Sequence, residues 1–167
     1  PEIIYNPDLK EYYLFVSYDP LMTTYNVRVG RSDKAEGPFI DYFGKELKDT
    51  TNNFPILTAP YRFKNHPGWA GTAHCTVFTS DDGQYFMAHQ GRLSPQNQMM
   101  DLHVRQVFFT KDGWPVVSPE RYAGSNPREF SAADLVGEWE IIRVQEPLYE
   151  RQLEAGQILW GEGELQD

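Results

Sequence analysis

The sequence predicts an all-β protein that contains two similar units. Aromatic and β-branched residues occur in short runs interrupted by turn-forming residues, and such runs are typical of strands. Long stretches with helical periodicity are missing from residues 1–122. Parts of the first unit also match parts of the second in order, which predicts that both units form the same kind of antiparallel sheet.

The first unit contains a predicted β-hairpin. Glu11–Tyr18 reads EYYLFVSY, and Tyr25–Gly30 reads YNVRVG. The intervening residues, DPLMTT, supply a loop. The two runs are therefore expected to pair as antiparallel strands.

The second unit contains two further predicted hairpins, and an Asp-Gly pair marks the turn of each. Asp-Gly between apolar runs is among the strongest short-range signals for a hairpin. The predicted strand pairs are His74–Ser80 with Gln84–Gln90, and Asp101–Thr110 with Trp114–Ser118.

The two units can be aligned with each other. EYYLFVSY matches GQYFMAHQ at an offset of 72 (residue 18 onto residue 90), and Val27-Arg28 matches Val104-Arg105 at an offset of 77. Repeats of about four antiparallel strands predict propeller blades, although the usual period is roughly 40–50 residues. The surplus is expected to be loop, chiefly Asp41–Gly71. A plain β-sandwich is the alternative architecture.

The rest of the chain predicts a change of organisation after the two units. Residues 1–122 are interpreted as the blades, residues 123–135 as a linker, and residues 136–167 as the start of a C-terminal β-domain or a strap. Within the last segment, 137–142 alternates like a strand, and 157–160 is a second candidate. Because the sequence opens directly on the apolar run after Pro1, we expect the chain to be a fragment of a longer protein.

Composition limits the classes of function. The 167 residues carry 15 Lys and Arg against 24 Asp and Glu, giving a formal charge of −9 and a pI near 4.9. This balance argues against nucleic acid or an anionic membrane as a partner. No apolar run approaches the roughly 18–20 residues that span a bilayer. A single cysteine, Cys75, excludes an internal disulfide and is interpreted as a small buried residue.

A few residues are candidates for chemistry. His74 follows Gly71-Thr72-Ala73, and these small neighbours leave room for a ligand at the imidazole. Spacing alone nevertheless favours a histidine that is satisfied by backbone hydrogen bonds at a strand end. His66, His89 and His103 are expected to be packed or surface residues. The rings of Tyr18, Tyr61, Trp69 and Trp114 are either sugar platforms or packing. None of the carboxylates, Asp101 and Glu11 included, has a context that marks it as catalytic.

Five motifs in order carry a family resemblance. IIYNPDLKEYYLFVSYDPL, YNVRVGRSDKAEGPF, GTAHCTVF, LHVRQVFFTKDGWPVVSPERYAG and LVGEWEII resemble bacterial endo-α-1,5-L-arabinanases of glycoside hydrolase family 43. The resemblance implies a five-bladed β-propeller with its active site in a cleft at one end of the central cavity. It places this chain in the last two blades and the start of a small C-terminal β-domain.

The resemblance also implies roles for individual residues. His74 would bind a metal ion, Ca²⁺, on the propeller axis, with waters as the other ligands. The family inverts configuration with a general base Asp, a general acid Glu and a further Asp. Pro1 matches the Pro of the Glu-x-Pro segment, so the catalytic Glu is expected just before Pro1 and no catalytic residue is expected within this chain.

The role that the resemblance implies for this chain is to form part of the wall of the cleft. Ser17, Tyr18 and Arg105 are the expected substrate-binding residues, and Asp19 and Asn26 are weaker candidates. From its residue type alone, Arg105 fits a buried structural ion pair equally well. The expected function is part of a secreted bacterial hydrolase that cleaves arabinan together with the N-terminal half of the propeller. The alternative is a fragment that binds arabino-oligosaccharide or self-assembles without catalysis.

Overall fold

The computed structural model describes residues 1–49, 52–94, 98–124, 129–141, 144 and 161–165. The first sheet has four antiparallel strands in the order β1 (Glu2–Asn6), β2 (Glu11–Tyr18), β3 (Asn26–Ser32) and β4 (Ile56–Thr58). Tyr18 pairs with Asn26, which confirms the first predicted hairpin.

The second sheet repeats this order. Its strands are β5 (Trp69–Ala70), β6 (Thr76–Thr79), β7 (Tyr85–Leu93), β8 (Asp101–Phe109) and β9 (Pro115–Val117). β5 and β6 both pair with β7, and β8 lies between β7 and β9. The two predicted Asp-Gly hairpins are confirmed by the pairs Thr79–Tyr85 and Phe109–Pro115.

The two sheets pack face to face with their strands in matching positions. β1 lies beside β6, and β4 lies beside β9. Between the sheets is one apolar core. Its members from the first sheet are Tyr13, Phe15, Val27, Val29 and Leu57, and those from the second region are Ala73, Val77, Met87, Val107 and Trp114. This arrangement is that of neighbouring propeller blades.

The register of the strands corrects the sequence alignment of the units. Val16 pairs with Arg28 in the first sheet, and Met87 pairs with Arg105 in the second. Val16 therefore corresponds to Met87, an offset of 71 rather than 72, while Arg28 and Arg105 keep the predicted offset of 77. The expectation that Asp41–Gly71 is all loop was also wrong, because β4 and β5 lie within it.

A third small sheet follows the blades. A 3-10 helix spans Ala132–Leu135, and β10 (Gly137–Ile141) pairs antiparallel with β11 (Gly161–Leu165). The predicted strand that begins at residue 137 is confirmed, whereas the candidate at 157–160 lies outside the described residues. The predicted boundaries at residues 122 and 135 remain predictions. Within the described part of the chain, no helix has the length and apolar character needed to cross a membrane.

Candidate cleft wall around His74

The two sheets bring several predicted site residues to one shared end. In the first sheet this end is formed by the start of β1 and the end of β2, and in the second by the start of β6 and the end of β7. Two side-chain contacts join the sheets there, Thr76 Oγ1 with Glu2 Oε2 at 3.3 Å and His74 with Ser17. We call this region the His74 end.

His74 lies in an irregular segment between β5 and β6. Its backbone has φ of 58°, and Gly71 has φ of 62°. The predicted strand start at His74 was therefore wrong by two residues, because a residue in the left-handed region breaks the ladder and β6 begins at Thr76. The backbone N–H of His74 donates to Ser17 Oγ at 3.0 Å, while its imidazole is exposed. The backbone is thus fixed, and the ring remains accessible to a ligand.

A cavity of about 360 Å³ lies beside His74. Besides His74, its lining residues are Thr76, Ala88, His89, Gln90, Met100, Asp101 and Leu102. The position of Asp101 beside this cavity could not be expected from the sequence, because it depends on the pairing of β7 with β8. Among the described residues, no group of three or more His, Cys, Asp and Glu could hold a metal ion. These residues fit a cation with an imidazole ligand and a shell of water, but not a cation held by protein groups alone.

Ser17 and Tyr18 point to opposite faces of β2, as neighbours in a strand must. Ser17 faces the second sheet and His74. The Tyr18 hydroxyl donates to Asn53 Oδ1 at 3.1 Å, and the Arg28 guanidinium lies 4.8 Å from the ring centroid. Burial raises the pKa of the Tyr18 phenol, so the hydroxyl is protonated at neutral pH. The structure therefore brings Ser17, but not Tyr18, into contact with His74.

Asp19 and Asn26 belong to a polar cluster behind Tyr18. Asn26 Nδ2 donates to Asp19 Oδ2, and the buried Arg28 forms an ion pair with the same carboxylate at 3.4 Å. Arg28 Nε also donates to Asn26 Oδ1 at 3.0 Å. Asp19 has φ of 66° and a side chain that is one-third exposed. The cluster holds this carboxylate in a fixed position at the His74 end.

Arg105 lies deep between the second sheet and the segment that leads to β5. Its guanidinium donates to the backbone carbonyls of Ser118 and Pro119, to the Tyr61 hydroxyl, and to His103 Nδ1 at 3.0 Å. Within the described ranges, no ion pair involves Arg105, and no hydrogen bond joins it to Ser17, Tyr18 or His74. The geometry is that of a buried structural arginine held by neutral acceptors, and its role towards substrate stays a prediction.

His89 and His103 form a buried pair of imidazoles next to Arg105. Their ring centroids are 5.1 Å apart. Burial, followed by the positive charge of Arg105, lowers the pKa of His89 to about 3 and that of His103 to about 4. Because a guanidinium can only donate, His103 Nδ1 is an acceptor and its proton resides on Nε2. Both rings are neutral at pH 7, and their burial shows that, of the two expected interpretations, packed residue is the correct one.

Burial and packing also describe the other aromatic candidates and Cys75. Tyr61 and Trp114 are buried, so packing is the correct interpretation of these two rings. Trp69 packs edge-on against His103 with centroids 4.4 Å apart. Cys75 packs against the core, and burial raises the pKa of its thiol to about 11. The thiol is therefore protonated and has the apolar role expected of it.

Comparisons with known proteins identify the architecture. The scan against protein-family models found no match. The chain is 30% identical over 163 residues to an extracellular endo-α-(1→5)-L-arabinanase of Bacillus subtilis, covering 86% of this chain and 35% of the relative. It is 28% identical over 160 residues to an extracellular endo-α-(1→5)-L-arabinanase of Thermotoga petrophila, covering 85% and 34%.

Solved structures give the same result. A family 43 glycoside hydrolase of Bacillus licheniformis superposes with a TM-score of 0.79 at 27% identity, covering 87% of this chain and 36% of that one. The endo-1,5-α-L-arabinanase of Thermotoga petrophila also has a TM-score of 0.79 at 27% identity, with 86% and 36% covered. The chain thus spans about a third of the length of the relatives that it matches.

These findings identify the fold of the chain and the proteins to which it is related. The two sheets match blades of the β-propeller arabinanases among the solved structures, which confirms the predicted all-β propeller fold and excludes the β-sandwich. In sequence and fold the chain is related to the arabinanases of glycoside hydrolase family 43, as its motifs indicated.

Proposed function

We propose that this chain is part of an extracellular hydrolase of α-1,5-linked L-arabinan and that the His74 end forms part of the wall of its substrate cleft. The observation that carries the proposal is the 30% identity to an extracellular endo-arabinanase over most of the chain. A solved relative, the α-L-arabinanase of Cellvibrio cellulosa, was crystallised with arabinohexaose, which supports an arabino-oligosaccharide as substrate. Binding without cleavage is not favoured, because these relatives are named as hydrolases.

The chemistry of the proposal is inversion at the anomeric carbon. Inversion requires a general acid and a general base whose carboxyl groups are roughly 6.5–9.5 Å apart, so that a water fits between them. In the proposal these groups belong to the N-terminal part of the propeller, and the Ser17 hydroxyl fixes the backbone that carries His74. Ca²⁺ held by the His74 imidazole and waters would supply positive charge near the general acid.

Replacement of His74 tests the metal-binding part of the proposal. In the whole protein that carries this chain, His74→Ala is expected to lower calcium content and to reduce arabinan hydrolysis about 10- to 100-fold. Elemental analysis and reducing-end release measure the two effects. His66→Ala is the matched control, because His66 contacts Trp69 rather than the His74 cavity. Unchanged calcium content in His74→Ala would exclude the ligand role.

The 167-residue chain by itself tests the placement of the carboxylates. We expect no release of arabino-oligosaccharides from linear arabinan, because both Asp residues and the Glu are assigned to the N-terminal part of the propeller. The measurement is product analysis after prolonged incubation with high enzyme concentration. Turnover by this chain that persists through further purification would overturn the assignment.

A further inference from the structure

Two of the three nitrogen atoms of the Arg92 guanidinium are buried without a hydrogen-bond acceptor among the described residues. Arg92 is only 5% exposed, and neither Nε nor Nη1 has a hydrogen-bond partner. Throughout the described ranges, no Asp or Glu forms an ion pair with it and no carbonyl accepts from it. Arg28 and Arg105, the corresponding buried arginines of the two sheets, both have several acceptors.

The surroundings of Arg92 are formed mainly by backbone. Arg92 pairs with Ala70 near the end of β7, and Gly71 follows directly. A Cβ atom at Gly71 would lie 3.6 Å from Arg92 Nη1 and 2.7 Å from the carbonyl oxygen of Leu21. The Gly71 N–H donates to the Thr23 carbonyl at 3.3 Å. The loop between β2 and β3 and the segment after β5 therefore meet beside this guanidinium.

The same two segments carry further unmatched polar atoms. The hydroxyls of Thr23 and Thr72 are buried and have no hydrogen-bond partner. A hydroxyl can donate as well as accept, whereas a guanidinium has five N–H donors and no acceptor. Among the described residues, the Nε–H and Nη1–H groups of Arg92 thus lack acceptors, and no carboxylate pairs with its positive charge.

The sign of this imbalance identifies the kind of ligand. A buried charge costs free energy unless an opposite charge or several hydrogen bonds compensate it. A metal cation would add to the positive charge, and water would accept from the donors without supplying an opposite charge. An anion satisfies the donors and supplies the opposite charge together, and it is therefore the ligand that this imbalance favours.

We propose that Arg92 forms an anion site, in which its Nε–H and Nη1–H bind a small monovalent anion, either a halide or a carboxylate group. The site lies at the His74 end, since the Gln90 side chain donates to the Gly71 carbonyl and the Gln90 backbone donates to Ala73, next to His74. The proposal concerns binding alone and does not depend on the proposed hydrolase activity.

Anion-dependent thermal stability tests the site. The chain and its Arg92→Met variant are unfolded thermally in increasing sodium chloride, sodium bromide or sodium acetate, and the two are compared at equal salt so that general salt effects cancel. We expect a saturable rise in Tm of the native chain that is absent from Arg92→Met, because a ligand that binds only the folded state stabilises it. Arg121→Met is the matched control, since it removes an exposed guanidinium that lies over Trp69.

A second measurement keeps the test decisive if Arg92→Met does not fold. The ³⁵Cl NMR line of chloride is expected to broaden in the presence of the native chain and to narrow when bromide or acetate is added. In crystals that contain bromide, diffraction data collected at the bromine absorption edge are expected to show an anomalous difference peak within hydrogen-bonding distance of Arg92. A response to acetate but not to halide would identify a carboxylate site. An equal salt response in native chain and variant, or no broadening and no bromide peak, would mean that water alone meets Arg92 and would overturn the proposal.

Discussion

Two non-glycine residues at the His74 end adopt the left-handed backbone region. His74 has φ of 58° and Asp19 has φ of 66°, and such a conformation costs roughly 1–2 kcal/mol for a residue with a Cβ. Each is held by specific hydrogen bonds, His74 by Ser17 Oγ and Asp19 by Asn26 and Arg28. Strain that the surroundings maintain is characteristic of functional sites, so both residues are expected to matter for more than stability.

At Gly91 the close approach of His103 excludes a side chain. A Cβ at Gly91 would lie 2.6 Å from His103 Nε2, and the His103 ring cannot easily move because Arg105 donates to it. We therefore expect Gly91→Ala to lower the free energy of unfolding by about 1–3 kcal/mol, as overpacking usually does. Chemical denaturation measures the change.

Gly30→Ala is the comparison for Gly91→Ala. A Cβ there would lie 2.8 Å from the half-buried Leu47 side chain, which has room to move, and 3.3 Å from the Ile40 carbonyl oxygen, which would need to shift by only a few tenths of an ångström. We expect a smaller loss of stability, below about 1 kcal/mol. If both variants lost the same free energy of unfolding, the His103 ring would be as free to move as the Leu47 side chain, and Arg105 would not hold it in place.

At the scale of the strands, each of the two sheets contains a buried arginine that donates to a side chain two residues before it, and the acceptor differs between the sheets. Arg28 on β3 donates to Asn26 two residues before it, and Arg105 on β8 donates to His103 two residues before it. Asn26 pairs with Tyr18, and His103 pairs with His89. Each sheet therefore holds a buried arginine against an acceptor at the equivalent register position, and only the second sheet makes that acceptor titratable.

The titratable pair predicts loss of stability in acid. In the folded chain the pKa values of His89 and His103 are lowered from the ordinary 6.5 to about 3 and about 4. Between these values and pH 6.5, the unfolded chain therefore binds more protons than the folded chain. The contribution of these histidines to the free energy of unfolding is therefore fully present above about pH 6.5 and is lost as the pH decreases. Each histidine loses about 1.4 kcal/mol for every unit by which folding lowers its pKa. Urea unfolding from pH 7 to pH 4 measures this slope.

His103→Asn isolates the contribution of one imidazole. The substitution places at this register position the residue that the first sheet has at Asn26, whose amide oxygen accepts from an arginine in the same way. We expect the variant to fold and to show a shallower fall in stability below pH 6.5. An unchanged slope would show that the acid sensitivity arises from the carboxylates instead.

The strands themselves were largely predictable, and their irregular parts were not. Alternating apolar runs and Asp-Gly turns identified β2, β3 and β6 to β9 to within a few residues. The short strands β4 and β5 lie in a Pro- and Asn-rich connection whose composition indicates loop, and they form because they add edges to sheets that already exist. The break at His74 depends on its positive φ, which is uncommon for any non-glycine residue and is only weakly favoured by the residue type His.

For the molecule as a whole, the fold was predictable from the motifs, but the contacts of the site were not. His74 was identified by its Gly-x-x-His context, whereas its contact with Ser17, 57 residues away, depends on how the two sheets pack. Arg105 was expected to bind substrate in the cleft. In the structure it is instead buried against the Tyr61 hydroxyl and backbone carbonyls, and its role towards substrate stays a prediction. Arg92 was not singled out, since only the structure reveals an arginine without an acceptor.

The outer face of the second sheet predicts how the chain behaves in solution. The strand register places Phe78, Leu102, Phe108 and Val116 on the face opposite the core, and Leu102 is 71% and Phe108 50% exposed. Sheet faces with several exposed large apolar side chains are uncommon on monomers, and in the proposed propeller the next blade covers this face. We therefore expect the isolated 19.3 kDa chain to self-associate.

Native mass spectrometry and sedimentation measure that association. The double variant Leu102→Glu with Phe108→Glu is expected to shift the mass towards a single chain, because two charges oppose apolar contact at the face. Leu135→Glu is the matched control, since Leu135 is 46% exposed but lies in the 3-10 helix outside both sheets. A native chain that is monomeric at all concentrations, or a control that dissociates as readily as the double variant, would show that this face does not drive association.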